Sequence, residues 1–157
     1  MEKLRLGVIG AGSFSTYHLE GIAEVAKAEC VAICDVDIEK AKAQAEKFHI
    51  ESVYTDYNEL LARDDIDAVT LPLPDQVHKE ITIAALKAGK HVLCEKPDAI
   101  DVTEVLKMKN AADEAGKVLM VIRNNRFATA SQYAKKFVES GRMGEIYCGR
   151  CGWQRRR

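Results

Sequence analysis

A chain of 157 residues is long enough for one compact domain with a substantial apolar core, but too short for two domains of ordinary size. Hydrophobic residues make up 47% of it and charged residues 30%, which excludes the disordered and collagen-like classes of protein. Its formal net charge of −1 provides no overall electrostatic attraction to nucleic acid or to an anionic membrane, so neither is an expected partner.

The amino terminus leads directly into an apolar strand, without the apolar stretch and cleavage site of a secretory signal. No apolar run approaches the roughly 20 residues that span a bilayer. The five cysteines are therefore expected to be reduced thiols in a cytoplasmic protein. Cys148 and Cys151 have the CxxC spacing of zinc and redox sites, but because no second ligand pair accompanies them we expect no metal.

Short apolar runs alternate with amphipathic segments from residue 4 to residue 122. The runs are continuous and rich in Val, Ile or Leu, as parallel strands buried on both faces are. The predicted strands are Leu4–Ile9, Cys30–Cys34, Ser52–Tyr54, Ala68–Leu71, His91–Cys94 and Val118–Ile122. Apolar residues at helical spacing predict the buried helix faces, namely Leu19, Ile22, Ala23 and Ala26, then Ile38, Ala41, Ala45 and Phe48, then Val77, Ile81, Ala84, Ala85 and Ala88. This alternation predicts an α/β fold with a doubly wound parallel sheet and right-handed crossovers.

Local signals mark where the helices begin and end. Gly89 and Gly116 follow helical patterns, at positions where a left-handed residue commonly ends a helix. Asp56 and Asp101, each followed three residues later by Glu, resemble capping boxes at helix starts.

The residues after 122 break the alternation. Arg123–Phe127 is followed by a helical stretch with one apolar side, which Gly141 ends, and then by a strand-like segment, Glu145–Trp153. A lone strand exposes unpaired backbone groups and apolar side chains. We therefore interpret residues 1–122 as one domain, and residues 123–157 as a connecting helix and the first strand of a truncated second α/β domain.

A glycine-rich turn joins the first predicted strand to the first helix. Gly10 would permit the tight turn, and Gly12, with Ser13 and Phe14, would let the backbone approach a pyrophosphate at the positive end of the helix. The third position of the GxGxxG fingerprint is Ser15, so the match is incomplete. Taken alone, the turn is compatible with a dinucleotide, with S-adenosylmethionine, or with no ligand.

Asp35 follows the second predicted strand, about 20 positions beyond the glycines. An acidic residue there accepts hydrogen bonds from the adenosine ribose hydroxyls. Its charge would repel a 2′-phosphate, which favours NAD over NADP as the cofactor. The alternative is that Asp35 only begins a turn and that Asp37 caps the next helix.

Two further segments carry a resemblance to a known family. They are Leu71–His78, with the sequence LPLPDQVH, and Ala84–Pro97, with the sequence AALKAGKHVLCEKP. With the glycine turn and Asp35, they resemble the glucose–fructose oxidoreductase/inositol dehydrogenase/MocA (Gfo/Idh/MocA) family over essentially residues 3–157. The resemblance implies a Rossmann domain followed by a larger, mostly antiparallel α/β substrate domain. Members are usually more than twice as long as this chain.

The family pattern implies that Lys96 points toward the nicotinamide and a substrate hydroxyl. Its ammonium could hydrogen-bond the oxygen on which charge develops during hydride transfer. Glu95 would orient that lysine, and Pro97 would follow a cis peptide bond. The alternative is an exposed Glu–Lys pair before a turn.

Pro74 and His78 match the family's Pro-Asn-x-x-His element and are expected to line the cofactor cleft. Asp75 replaces the Asn, and a carboxylate cannot donate the hydrogen bonds of an amide. For His78, a structural role in the first turn of a helix is the alternative. His18 and His91 are expected to be structural, because they lie inside a helix and a strand.

Arg126 and Phe127 resemble a family Arg-Phe pair whose side chains can reach the substrate. Trp153 and the arginines at 155–157 resemble a Trp-x-Arg-Arg-Arg stretch that begins the second domain in some members. Such arginines bind anionic or hydroxyl-rich substrates through forked donors. The alternative is a disordered basic end. The family's other proton-transfer residues, an Asp and a His, would lie beyond Arg157.

The expected function is that of an NAD-dependent dehydrogenase acting on CH–OH groups of sugars, polyols or similar small molecules. The chain would supply the cofactor domain and would be inactive alone, and association into a homo-oligomer is possible. The alternatives are a non-enzymatic NAD-binding sensor and, on the glycine turn alone, a methyltransferase. Lys96 favours the enzyme, since a sensor needs no ammonium beside the nicotinamide.

Overall fold

The computed structural model describes residues 3–152 and contains one six-stranded parallel sheet. The predicted strands are confirmed, with bounds β1 Leu4–Ile9, β2 Ala28–Cys34, β3 Ser52–Tyr54, β4 Ala68–Leu71, β5 His91–Cys94 and β6 Leu119–Val121. Their order across the sheet is β3-β2-β1-β4-β5-β6, that of the doubly wound Rossmann fold. The order reverses between β1 and β4, which is where such sheets open a ligand crevice beyond the carboxyl ends of the strands.

In the described residues, α-helices alternate with the strands along the chain. Their bounds are α1 Ser15–Ala23, α2 Ile38–Phe48, α3 Tyr57–Leu61, α4 His78–Lys87, α5 Val102–Ala115 and α6 Thr129–Glu139. Short 3-10 turns lie at Asp75–Val77 and Asn124–Phe127. Among the described residues, none of the helices combines the length and the apolar character needed to cross a bilayer.

The capping residues and glycines that the sequence predicts lie at the helix boundaries of the structure. Asp56 and Asp101 accept backbone N–H groups at the starts of α3 and α5, as the capping pattern predicts. Gly89 and Gly116 have φ angles of 77° and 62°, the left-handed conformation that glycine adopts without strain. His49, a residue with a side chain, also takes this conformation at the end of α2.

The burial predicted for the apolar face of α1 is wrong at the carboxyl-terminal end of that helix. Ala23 and Ala26 were expected to be buried with Leu19, but both are exposed. Helix α1 ends at Ala23, and a turn with the Ala28 N–H bonded to the Val25 carbonyl leads into β2, which begins two residues before the predicted Cys30. Ala26 therefore lies in a connection, where helical spacing no longer determines burial. Ala88, which caps the end of α4, is likewise exposed.

Apolar side chains cover both faces of the sheet. Neighbouring residues of β1 point to opposite sides, so that Val8 belongs to one apolar cluster with Leu19 of α1 and Ala41 of α2, whereas Ile9 belongs to another with Leu86 of α4. All of these side chains are buried. The continuous apolar strands of the sequence are thus explained by helices on both faces.

The described residues fall into two units, one up to Ile122 and one from Arg123 onward. In the second unit, the strand predicted over Glu145–Trp153 is wrong for its described part, because residues 145–152 form no strand. A strand exists only where a neighbour completes its hydrogen bonds, and the described residues provide none for this segment. Trp153 and the arginines at 155–157 lie outside the described residues.

Thiol reactivity is expected to divide the five cysteines into two groups. Burial raises the pKa of Cys30 and of Cys34 to about 12 and that of Cys94 to about 11, so these thiols remain protonated near neutral pH. Cys148 and Cys151 are free and exposed. Ellman's reagent at pH 8 should therefore react rapidly with two thiols of the native chain and with all five in urea. A Cys148→Ser/Cys151→Ser control should lose the rapid phase, and a third rapid thiol in the native chain would contradict the assignment.

Candidate cofactor-binding site

The carboxyl ends of β1, β4 and β5 surround a cavity of about 300 Å³. Its lining residues are Gly12, Ser13, Phe14, Pro72, Leu73, Pro74, Glu95 and Lys96. Six of them, all except Pro72 and Leu73, were candidates from the sequence. The fold thus brings together candidates that are as many as 84 positions apart, from Gly12 to Lys96.

A larger cavity, of about 820 Å³, lies at the opposite ends of the strands and is lined by charged side chains. There Arg5 forms ion pairs with Asp65 at 2.6 Å and with Glu29 at 2.9 Å. Hydrogen bonds from the guanidinium groups of Arg63 and Arg5 hold the pKa of Asp65 well below its ordinary value. Because ligands of open α/β sheets bind at the carboxyl ends of the strands, the smaller cavity is the candidate site.

Gly10 sets the path of the chain at the end of β1. Its φ angle is 107°, and its N–H donates to the carbonyl of Cys34 at 2.7 Å. A Cβ atom here would lie 2.8 Å from the carbonyl oxygen of Pro72 and 2.9 Å from Cδ2 of Leu73. Glycine is therefore required by the backbone conformation and by the close approach of the loop after β4.

Gly12 faces open space, since a Cβ atom there would have no neighbour within 4 Å. The next two residues, Ser13 and Phe14, donate their backbone N–H groups to no acceptor in residues 3–152. Helix α1 has no side-chain cap and no acidic residue in its first turn. Free N–H groups and an uncompensated positive helix end are what an anion such as phosphate requires.

Ser15 occupies the third position of the glycine fingerprint and is fully buried. Its hydroxyl donates to the carbonyl of Gly12 at 2.6 Å, and its N–H donates to the same oxygen at 3.0 Å. The small side chain thus lets α1 pack closely against the sheet, and its polar atom is satisfied within the turn.

Asp35 links the end of β2 to the glycine turn. One carboxylate oxygen accepts the N–H of Ala11 at 2.6 Å and the other accepts the N–H of Asp37 at 2.9 Å. Each oxygen can still accept a further hydrogen bond. Asp37 caps α2 and also accepts from Lys40, whose hydrogen bond lowers the pKa of this carboxyl. The expected capping role therefore belongs to Asp37, while Asp35 is tied to the candidate phosphate-binding turn.

Lys96 is exposed and precedes a cis peptide bond to Pro97, as the resemblance implied. Its backbone N–H donates to Oε2 of Glu95 at 3.0 Å. In residues 3–152 no carboxylate forms an ion pair with its ammonium. Glu95 thus contacts the main chain of Lys96 and leaves the charged end of the side chain available.

His78 does not line the cavity, in contrast to the expected cofactor contact. Its side chain is fully buried at the start of α4, with Nδ1 2.8 Å from the carbonyl oxygen of Pro97 and Nε2 2.9 Å from that of Leu73. Both ring nitrogens are therefore occupied by backbone oxygens. The structure favours the structural alternative for this residue, which joins the loops after β4 and β5.

His18, for which the sequence indicates a structural role inside a helix, contacts a residue that lines the cavity. It hydrogen-bonds to Thr70 of β4 and to Glu95. The one local signal was its place one turn after the buried Ser15, on the side of α1 that faces the sheet. Arg126 is exposed in the second unit, and its role at the substrate stays a prediction.

A comparison with known proteins decides the family. The family profile described as "Oxidoreductase family, NAD-binding Rossmann fold" and named for Gfo/Idh/MocA matches residues 4–123. The chain belongs to this oxidoreductase family. The methyltransferase alternative, which rested on the glycine turn alone, is thereby removed.

Several known proteins are similar to almost all of the chain. D-glucoside 3-dehydrogenase of Escherichia coli K12 is 36% identical over 160 residues, which cover 96% of this chain and 46% of that protein. WlbA dehydrogenase from Bordetella pertussis, solved with NADH and UDP-GlcNAcA, is 35% identical with a TM-score of 0.88, covering 93% of this chain and 45% of that one. A variant of the 3-ketoreductase KijD10 from Actinomadura kijaniata, solved with TDP-benzene and NADP, is 34% identical with a TM-score of 0.85, covering 92% and 46%. The chain spans slightly less than half the length of these relatives.

Proposed function

We propose that this chain is the cofactor-binding part of an NAD-dependent dehydrogenase that oxidises a CH–OH group of a sugar, a polyol or a related hydroxy compound. One observation carries the proposal. Lys96, an exposed ammonium after β5, lines the same cavity as the glycine turn and the uncapped start of α1. A redox sensor needs no ammonium at that place, and no feature of residues 3–152 favours this alternative.

The described residues fit a dinucleotide at its adenosine diphosphate end. The free N–H groups of Ser13 and Phe14, with the open side of Gly12, would hold the phosphates. The carboxylate of Asp35, fixed at the edge of the turn by the Ala11 N–H, would accept the ribose hydroxyls. Cofactor binding would thus use a surface that the hydrogen bonds of the chain have already arranged.

The choice of NAD over NADP rests on the charge of Asp35. A 2′-phosphate would meet a carboxylate whose two nearest donors are backbone N–H groups rather than a cationic side chain. Solved relatives include both an NADH complex and an NADP complex, so family membership alone does not make this choice. The local charge supports NAD.

The chemistry of the site would divide between the cofactor and Lys96. A bound nicotinamide supplies the hydride acceptor. The ammonium of Lys96 would donate a hydrogen bond to the substrate oxygen and stabilise its negative charge as the hydroxyl proton passes to water or to a base outside the matched region. The matched relatives are about twice as long as this chain. We therefore expect residues outside the matched region to form the far wall of the crevice. Residues 1–157 alone should show negligible hydride transfer.

The test is a comparison of Lys96→Met with the original sequence in the complete reading frame that contains these residues. We expect kcat to fall about 100-fold or more, because the group that stabilises the substrate oxygen is lost. The Kd of NADH should change less than about threefold, since the phosphates and ribose bind elsewhere. Lys87→Met is the matched control, an exposed lysine in the last turn of α4, and should alter neither quantity. An unchanged kcat, or absence of NADH binding by the original sequence, would contradict the proposed function.

A further inference from the structure

Three polar side chains form a continuous chain from helix α1 to the cavity. Nδ1 of His18 lies 2.6 Å from the hydroxyl of Thr70, and its Nε2 lies 3.1 Å from Oε1 of Glu95. The side chains of His18 and Glu95 are only 6% and 12% exposed, and Thr70 is 1% exposed. The second oxygen of Glu95 accepts the N–H of Lys96.

The donors and acceptors of this chain can be assigned from its chemistry. A carboxylate only accepts hydrogen bonds, so Nε2 of His18 carries a proton and donates a hydrogen bond to Glu95. In a neutral imidazole, Nδ1 then accepts from the hydroxyl of Thr70. With this assignment every member of the network has a partner, and a fully satisfied buried network specifies one arrangement of its side chains.

We propose that His18 is the positioning residue for the nicotinamide end of the site. It fixes the carboxylate of Glu95, which in turn fixes the main chain of Lys96. The inference rests on the proposed dinucleotide-binding function. Helix α1 begins directly after the candidate phosphate-binding turn and contains His18, so the same helix would arrange the two ends of the cofactor site.

The local electrostatics explain why an apolar side chain cannot replace His18. Without the donor at Nε2, the largely buried Oε1 of Glu95 loses its partner, and a buried carboxylate without hydrogen bonds is costly. The carboxylate would turn into the cavity that Glu95 and Lys96 both line. A Glu95–Lys96 ion pair would then occupy the place of the nicotinamide and remove the ammonium from the substrate.

Two amide substitutions separate the two hydrogen bonds of the imidazole. In His18→Gln the amide reaches the place of Nε2 and can still donate to Glu95, whereas in His18→Asn it reaches only the place of Nδ1 and Thr70. His18→Leu removes both bonds. The ligands are NADH and ADP-ribose, because ADP-ribose has the same phosphates and adenosine but no nicotinamide.

Fluorescence and calorimetric titrations of the 157-residue chain should give a clear order. We expect His18→Asn and His18→Leu to weaken NADH binding about tenfold, because each loses one hydrogen bond to a charged group. The same substitutions should weaken ADP-ribose binding less than about twofold. His18→Gln should bind both ligands as the original chain does. Circular dichroism melts show whether each variant is folded. If His18→Leu does not fold, the comparison of His18→Gln with His18→Asn tests the inference by itself.

Three outcomes would overturn the inference. Equal weakening of NADH and ADP-ribose would mean that His18 only supports α1. A His18→Gln variant as defective as His18→Asn would mean that the bond to Glu95 is irrelevant. Variants that all bind NADH normally would mean that the network does not act on the site. In each case NADH still binds the original chain, so the proposed function survives, whereas its own failure is recognised when the original chain binds neither ligand.

Discussion

Replacing Gly10 by alanine is expected to destabilise the chain by about 3 kcal/mol and to abolish dinucleotide binding. The φ angle of 107° is strained for any residue with a side chain, at about 1–3 kcal/mol. The new Cβ would also lie 2.8 Å from the Pro72 carbonyl, so the loop after β4 must move, which adds an overpacking cost of about 1–3 kcal/mol. Urea unfolding followed by circular dichroism measures the first effect, and an NADH titration measures the second.

Two other glycines provide matched controls for Gly10→Ala. Gly21→Ala lies in the exposed interior of α1, where a Cβ meets nothing within 4 Å, and should stabilise the chain by about 0.5–1 kcal/mol. Gly12→Ala should leave the free energy of unfolding within about 0.5 kcal/mol of the original value and still weaken NADH binding. A Gly10→Ala variant that unfolds at the original urea concentration would show that the loop after β4 can adapt to the new side chain.

The substitution Asp35→Asn is expected to lower the preference for NADH over NADPH by about 100-fold, because it removes a charge interaction of about 2–4 kcal/mol with the 2′-phosphate. NADH binding itself should weaken, since an amide accepts fewer hydrogen bonds than a carboxylate. One of the two N–H groups now bonded to Asp35 would also face the new NH₂ group, at a cost of about 1 kcal/mol in stability. Parallel titrations with NADH and NADPH measure the preference.

Asp37→Asn is the control for this charge change. It removes the same charge two positions away, and asparagine caps α2 as well as aspartate does. We expect the NADH to NADPH preference to change less than about threefold, because the Asp37 carboxylate is directed at the first turn of α2 and at Lys40. An equal effect of both substitutions would mean that the general negative potential, rather than the contact of Asp35 with the ribose, discriminates between the cofactors.

The sheet could be predicted from the sequence because its strands are buried on both faces. Continuous apolar runs are typical of such strands. The structure reproduces the predicted bounds of two of them, Ala68–Leu71 and His91–Cys94. The segment at 145–152 shows where this reasoning fails. Whether an extended segment becomes a strand depends on a neighbour, which its own sequence does not specify.

The candidate site was predictable where a residue type is demanded by backbone geometry or charge. Gly10 is an example, since a φ angle of 107° strains any residue that has a side chain. The roles of the histidines were not predictable, because their partners are distant in the chain. His18 contacts Glu95, 77 residues away, and His78 contacts the carbonyl of Pro97, 19 residues away. His18 lies inside α1 and contacts a residue of the candidate site, whereas His78 begins α4 and its ring nitrogens contact backbone oxygens.

A dinucleotide bound at the uncapped start of α1, as proposed above, would affect the lifetime of the protein in the cell. Phosphate oxygens seated there would bond only the folded chain, since an unfolded chain presents no helix end. By mass action, a dinucleotide at 100 times its Kd would add about 2.7 kcal/mol to the free energy of unfolding. A falling supply of the cofactor would then expose more of the polypeptide to proteases, so that metabolic state would regulate the abundance of the protein without any change in its synthesis.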